Sequence, residues 1–85
     1  MGDGDRSGDL MDGARRRVDQ LTLALREAQA RGDVVSACQP EAVAHFVVAS
    51  LEGAALVSRL TKDVTVIEQC VNELERYLAL YEVRS

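Results

Sequence analysis

Few side chains in this sequence have the character that chemistry requires. His45 is the only histidine, one turn into an otherwise apolar segment. A lone imidazole there is either an effector contact or pH sensor, or a boundary residue with a satisfied hydrogen bond, and the second reading weighs more. Ser50 and Ser58 have no base and orienting acid in a pattern that would activate a hydroxyl, so hydrolase chemistry is not expected and the chain does not read as an enzyme. Cys38 and Cys70 lie far apart with no second soft ligand near either, so no metal centre is expected. They read as reduced thiols that pack as small hydrophobes. No cofactor-binding fingerprint is present. Arg15, Arg16 and Arg17 form a basic run, but consecutive residues fan out around a helix, and Asp12 and Asp19 stand close by, so the run reads as a solvated face.

Composition narrows the classes further. The chain has 85 residues, 47% of them hydrophobic, 28% charged and 4% aromatic, with a net charge of -4. Neither half carries the basic excess of a nucleic-acid footprint. One Phe, two Tyr and no Trp leave little for an aromatic core or a base-stacking platform. No signal-peptide pattern opens the chain, and Glu52 and Arg59 interrupt the longest apolar stretches, so the reading is a cytoplasmic protein without a membrane segment.

The elements that must position these residues are helices. Residues 1–10, rich in Gly and Asp without apolar periodicity, read as a disordered leader, and residues 11–85 as one helical domain. A first helix is predicted from about Asp12 to Arg31, with Ala14, Val18, Leu21, Leu25 and Ala28 on one stripe and Gly32 as the stop. Val34 and Val35 in the connection are expected to tuck under the helices. Pro40 opens a second helix that runs to Thr61, with Gln39 as a weak N-cap and Glu41 in its first turn. The third helix begins at Asp63 or Thr65, where Thr65 and Glu68 have capping-box spacing, and runs to about Val83. Its seam comprises Val64, Ile67, Val71, Leu74, Leu78 and Tyr81.

The second helix is the informative one. Val43, Ala44, Val47, Val48, Leu51, Ala54 and Ala55 cover one side; Phe46, Ala49, Gly53, Leu56, Val57 and Leu60 cover much of the other. A helix apolar on most of its circumference must be buried on more than one side, and two neighbours do not suffice. The expected fold is therefore an all-α, three-helix antiparallel unit whose last two helices form a four-helix bundle with a second protomer. Ala49, Gly53 and Val57 form a line of small residues that lets helices approach closely, either across such a dimer or within one protomer.

From Arg31 onward the chain resembles the C-terminal domain of tetracycline-repressor (TetR) family transcriptional regulators. The resemblance lies in RGDVVSACQPEAVAHFVVASLEGAALVSRL, with Gly32, Pro40, Glu41, Ala44, Phe46, Leu51, Gly53 and Arg59 at its marked positions, and in Asp63 and VIEQCVNELERYL, over about residues 31–83. It implies a dimerisation and effector-response domain, acting in transcription regulation as a homodimer. Its interface candidates are Ala49, Gly53, Leu56, Val57, Leu60, Ile67, Val71, Leu74 and Leu78, with Phe46 and His45 as candidate ligand contacts. A hydrophobic small-molecule effector is implied only in a full-length context. The family's helix-turn-helix and most of its pocket helices have no counterpart in these 85 residues, so direct nucleic-acid binding is not expected. The alternatives are a small helical interaction protein that pairs with a full-length regulator, and a small-molecule binding module.

Overall fold

The computed structural model describes residues 2–83, with side chains from Asp12 onward. Three helices follow one another: α1 (Gly2–Ala30), α2 (Pro40–Thr61) and α3 (Thr65–Ala79). α2 is the middle element and packs against both others, whereas α1 and α3 do not bring their backbones together among the described residues. The molecule measures 50 × 29 × 13 Å along its principal axes. The three-helix, all-α expectation holds, and α2 has the predicted bounds.

α1 departs from expectation at its start. It is helical from Gly2, ten residues before the expected start at Asp12. Its predicted stripe does face inward: Val18 is buried, and Ala14, Leu21, Leu25 and Ala28 are half-buried. At its end Gly32 adopts φ 88°, a left-handed conformation that costs glycine little. The Gly32 N–H donates to the Gln29 carbonyl at 3.1 Å and the Asp33 N–H to the Ala28 carbonyl at 2.9 Å, a Schellman stop.

The connection between α1 and α2 is held by a residue that periodicity does not flag. Gln29 Nε2 donates to the carbonyls of Val35 and Cys38, each at 2.9 Å, and lies 3.4 Å from that of Ser36. One amide thereby satisfies backbone acceptors that a tight loop cannot pair for itself. Val34 and Val35 pack, as expected, against a core of Cys38, Val43, Val47 and Leu74. Val18, Ala44 and Val48 form a second cluster, and Leu21 and Leu25 pack against both.

α3 also differs at both ends. The capping box of Thr65 and Glu68 does not form; Asp63 takes the role, its Oδ1 accepting the Thr65 N–H at 3.0 Å and the Thr65 hydroxyl at 2.6 Å. These two hydrogen bonds, side chain first, hold the Asp63 carboxyl below its ordinary range. At the other end α3 stops at Ala79 rather than about Val83. The last turn tightens to i→i+3 bonds, and the chain then leaves to pair with the linker: Val35 N–H donates to Tyr81 O at 2.8 Å, Val83 N–H to Asp33 O at 2.9 Å, and Val34 bridges Glu82 antiparallel. The linker's orphan backbone groups thus decide where the helix ends.

Two consequences are measurable. Gln29→Ala should lower unfolding free energy by about 1–2 kcal/mol, whereas Gln20→Ala, at an exposed position, should be neutral in the same urea titration. Asp63 has a depressed folded-state pKa, so its contribution is present above the ordinary pKa of 3.8 and is lost as pH falls through the lower folded value. Acidification below about pH 4 should therefore loosen α3 in the native protein, and Asp63→Asn should flatten that part of the stability-pH profile.

Candidate functional site

Successive residues of a helix are 100° apart, so α2 sorts its side chains cleanly by position. Val43, Ala44, Val47, Val48, Ala54 and Ser58 are buried against α1 and α3. On the opposite side Phe46, Ala49, Gly53, Leu56, Val57 and Leu60 are all exposed, with Phe46 at 51% and Leu60 at 75% of their free surface. A strip with Glu41, His45, Glu52 and Arg59 separates the two along one flank, and all four are exposed. Arg17 of α1 reaches Glu52 there, with 2.7 Å between Nη1 and Oε1. Both partners are more than half exposed, so this pair adds little stability.

The candidate interface residues therefore divide. Ala49, Gly53, Leu56, Val57 and Leu60 share one exposed stripe, as the sequence predicts. On α3, Ile67 and Val71 are exposed, and Val64 at 69% joins them by register. Leu74 is different: it is 7% exposed and belongs to the core with Cys38, Val43 and Val47, and Leu78 packs against that same core. These two side chains are occupied inside the protomer, because the linker valines and the Tyr81 turn close over the C-terminal half of α3.

Gly53 has neither a positive φ nor a close neighbour. A Cβ built on it meets nothing within 4 Å, so close packing inside the protomer does not account for a glycine in mid-helix. The same position would cost less as alanine by about 1 kcal/mol in helix propensity.

His45 and Phe46, paired as candidate ligand contacts, line different cavities. His45 opens on a groove of about 540 Å³ between α1 and α2, with Arg15, Asp19, Arg26 and Glu41 on its walls. Phe46 lines a smaller apolar recess of about 290 Å³ between α2 and α3, with Ser50, Cys70, Glu73, Leu74 and Tyr77. The chain's three aromatic rings gather beside it. Phe46 and Tyr77 have centroids 4.9 Å apart, tilted by 58°, and Tyr77 meets Tyr81 edge-on at 5.4 Å. The two tyrosine hydroxyls lie 3.4 Å apart, and this hydrogen bond, with burial second, pushes the Tyr77 phenol up. Spacing alone shows that Tyr77 and Tyr81 share a face; that Phe46 completes the ladder depends on the α2–α3 register. Cys70 donates to the Ser50 carbonyl at 3.5 Å, and Cys38 is buried, which pushes its thiol up.

α2 is also long and apolar enough, by length and composition, to cross a membrane, an 18-residue stretch of it having a mean hydropathy of 1.4. This corrects the expectation that Glu52 and Arg59 interrupt it too strongly for that: they stand on one flank and leave the rest of the circumference apolar.

Comparison with known proteins decides the family. The model of the tetracyclin repressor-like C-terminal domain matches residues 4–74. The chain belongs to this TetR-like C-terminal domain family. The match begins in the first turns of α1 and so extends the resemblance, read from about residue 31, across the whole first helix. No curated protein and no solved structure matches the chain. Two helices packed on a central apolar one are consistent with such a domain, and neither cavity carries a catalytic grouping among the described residues.

The thiols provide a direct check of the packing. A thiol reagent at pH 8 should modify Cys70 well before Cys38, and Cys38 should react only at the rate of unfolding. Equal rates for the two would mean that the core around Val43 and Val47 is open.

Proposed function

We propose that this domain supplies dimerisation, and with it effector response, to a TetR-type transcriptional regulator. The observation that carries the reading is the exposed apolar stripe on α2 in a chain of the TetR-like C-terminal family. Exposed apolar surface of this extent marks a binding face. The resemblance supplies its use: in that family the last two long helices of each protomer pack as a four-helix bundle. Ala49, Gly53, Leu56, Val57 and Leu60 of α2, with Ile67 and Val71 of α3, are the interface residues in this reading. Leu74 and Leu78 support them from the core. The partner is a second copy of the chain, the protein works in the cytoplasm, and it is not an enzyme.

The effector side of the reading rests on the two recesses that flank α2. The groove at His45 has charged walls of both signs, while the recess at Phe46 is apolar and aromatic. The second suits a hydrophobic effector better, because burial of apolar surface supplies affinity and Glu73 at its rim adds orientation. Nothing on either wall implies a cofactor.

Light scattering at micromolar concentration should give twice the chain mass; a folded monomer would overturn the proposal. Gly53→Leu separates folding from association. A side chain there starts from a Cβ that meets no neighbour in the protomer and leucine raises helix propensity, so thermal stability measured below the dissociation concentration should hold or rise by up to about 0.8 kcal/mol. The dimer dissociation constant should rise at least tenfold, since that side chain fills the space through which a partner approaches. Unchanged association would place Gly53 away from the interface.

A further inference from the structure

We propose that residues 80–83 form a strap that releases from the linker as a unit while the three helices stay in place, and that its release opens the core at Cys38 toward the Phe46 recess. Past the end of α3 at Ala79, these residues cross to the linker between α1 and α2. Among the described residues two backbone bonds hold them to it, Val35 N–H to Tyr81 O at 2.8 Å and Val83 N–H to Asp33 O at 2.9 Å, on either side of the Val34–Glu82 bridge. Of the strap's side chains Tyr81 packs on the core, whereas Leu80, Glu82 and Val83 are exposed, Leu80 at 76%.

The two sides of this contact are unequally secured. The linker has ties of its own: Asp33 N–H reaches the Ala28 carbonyl, Cys38 N–H the Val35 carbonyl, and Gln29 Nε2 the carbonyls of Val35 and Cys38. None of these involves the strap. When the pair separates, the strap therefore moves and the linker stays. The strap also has another place to go. Leu80 already has helical angles, φ -64° and ψ -23°, and no Gly or Pro stands between Thr65 and Val83. Released, the segment continues α3 by a further turn. The Val83 N–H then finds the Ala79 carbonyl four residues back, so the donor lost at Asp33 is regained within the helix. An exchange that conserves this bond separates two states by little free energy, as a bistable element requires.

The position of the strap gives its release an effect. Tyr77 and Tyr81 pack against the cluster of Cys38, Val43, Val47 and Leu74, in which Cys38 is 3% exposed. Tyr77 and Leu74 also line the Phe46 recess. Tyr81 braces Tyr77 there through hydroxyls 3.4 Å apart and an edge-on ring contact. Withdrawal of Tyr81 thins the cover of the cluster and frees the Tyr77 ring, so the recess deepens toward the core. The unfolding step that limits modification of Cys38 is then this local one.

The test is alkylation of the full chain by iodoacetamide at several urea concentrations below the unfolding transition, with each cysteine followed by mass spectrometry of its own peptide. Local release exposes little surface, so the Cys38 rate should rise with urea at less than about a third of the slope of global unfolding followed by circular dichroism. In water the rate should exceed, by about tenfold or more, the rate that global unfolding allows. A Cys38 slope equal to the global one overturns the proposal. Val35→Pro removes the donor to Tyr81 O and leaves the Gln29 ties in place. It should raise the Cys38 rate about tenfold with the Cys70 rate unchanged. An unchanged Cys38 rate in a variant that retains its helices also overturns the proposal, and where the proline unfolds the chain the urea slope of the unsubstituted protein decides.

Discussion

The structure depends on the solvation of α2, a 22-residue helix whose apolar surface extends around most of its circumference. Such a helix is stable in water only where other groups cover it, and α1 and α3 cover one side. Among the described residues their backbones do not approach one another, and side chains of α1 and α3 meet only in the core built on Cys38, Val43 and Val47. Its buried hydrophobics are small, mainly Val and Ala with one Cys and one Leu, and no large side chain is completely buried. In a chain of this size a single core of that kind yields little net stability. The exposed half of α2 is the apolar surface that this core leaves uncovered.

The linker acts as a second fastener. Because the backbones of α1 and α3 do not come together among the described residues, their relative placement depends on residues 32–39 and on the C-terminal turn that pairs with them. Gln29 holds three carbonyls of the loop within reach, and the Val34–Glu82 bridge ties the end of α3 to the exit of α1. Val34 and Val35 fill the wedge between them. Neighbouring residues of α2 consequently report on different surroundings: His45 faces the groove shared with α1, and Phe46 faces the recess shared with α3. Anything bound in either recess presses on the helix that carries the exposed stripe.

Periodicity reveals most of the fold, since helix existence and facing follow from the spacing of apolar residues. The bounds of α2 follow from Pro40, which suits a first helical position, and the stop of α1 from Gly32, which tolerates a positive φ. What spacing does not reveal depends on partners distant in sequence. Leu74 belongs to the same seam as Ile67 and Val71, yet it is buried while they are exposed, because the linker closes over only the C-terminal half of α3. The end of α3 is set by hydrogen bonds to residues 33–35, which no pattern in the helix itself encodes. Thr65 and Glu68 have the spacing of a capping box, but Asp63, two residues earlier, accepts the Thr65 N–H that Glu68 would have capped and engages the Thr65 hydroxyl as well. Gln29 carries no signal at all: an amide in the last turn of a helix is ordinarily solvated. For the candidate site, the stripe was legible and the separation of His45 from Phe46 followed from their adjacency. The aromatic ladder required the register between two helices.

An apolar helix with one uncovered side can be satisfied by lipid, by a larger protomer or by a second copy, and α2 itself bears on the choice. Glu41, His45, Glu52 and Arg59 form a polar strip along one flank. In a bilayer each charged member near the centre would cost about 2.5–3.5 kcal/mol, and Glu52 and Arg59 are far enough from the helix start to bear much of it. A protein surface that covers the adjoining apolar stripe needs to bury no member of the strip, and Glu52 already meets Arg17 in water. Glycine sharpens the distinction. Lipid chains adapt to any side chain and give no reason for its absence at residue 53, whereas a helix that approaches closely does. The membership of the chain in the TetR-like C-terminal family and the demand of its central helix thus converge on protein as the covering surface.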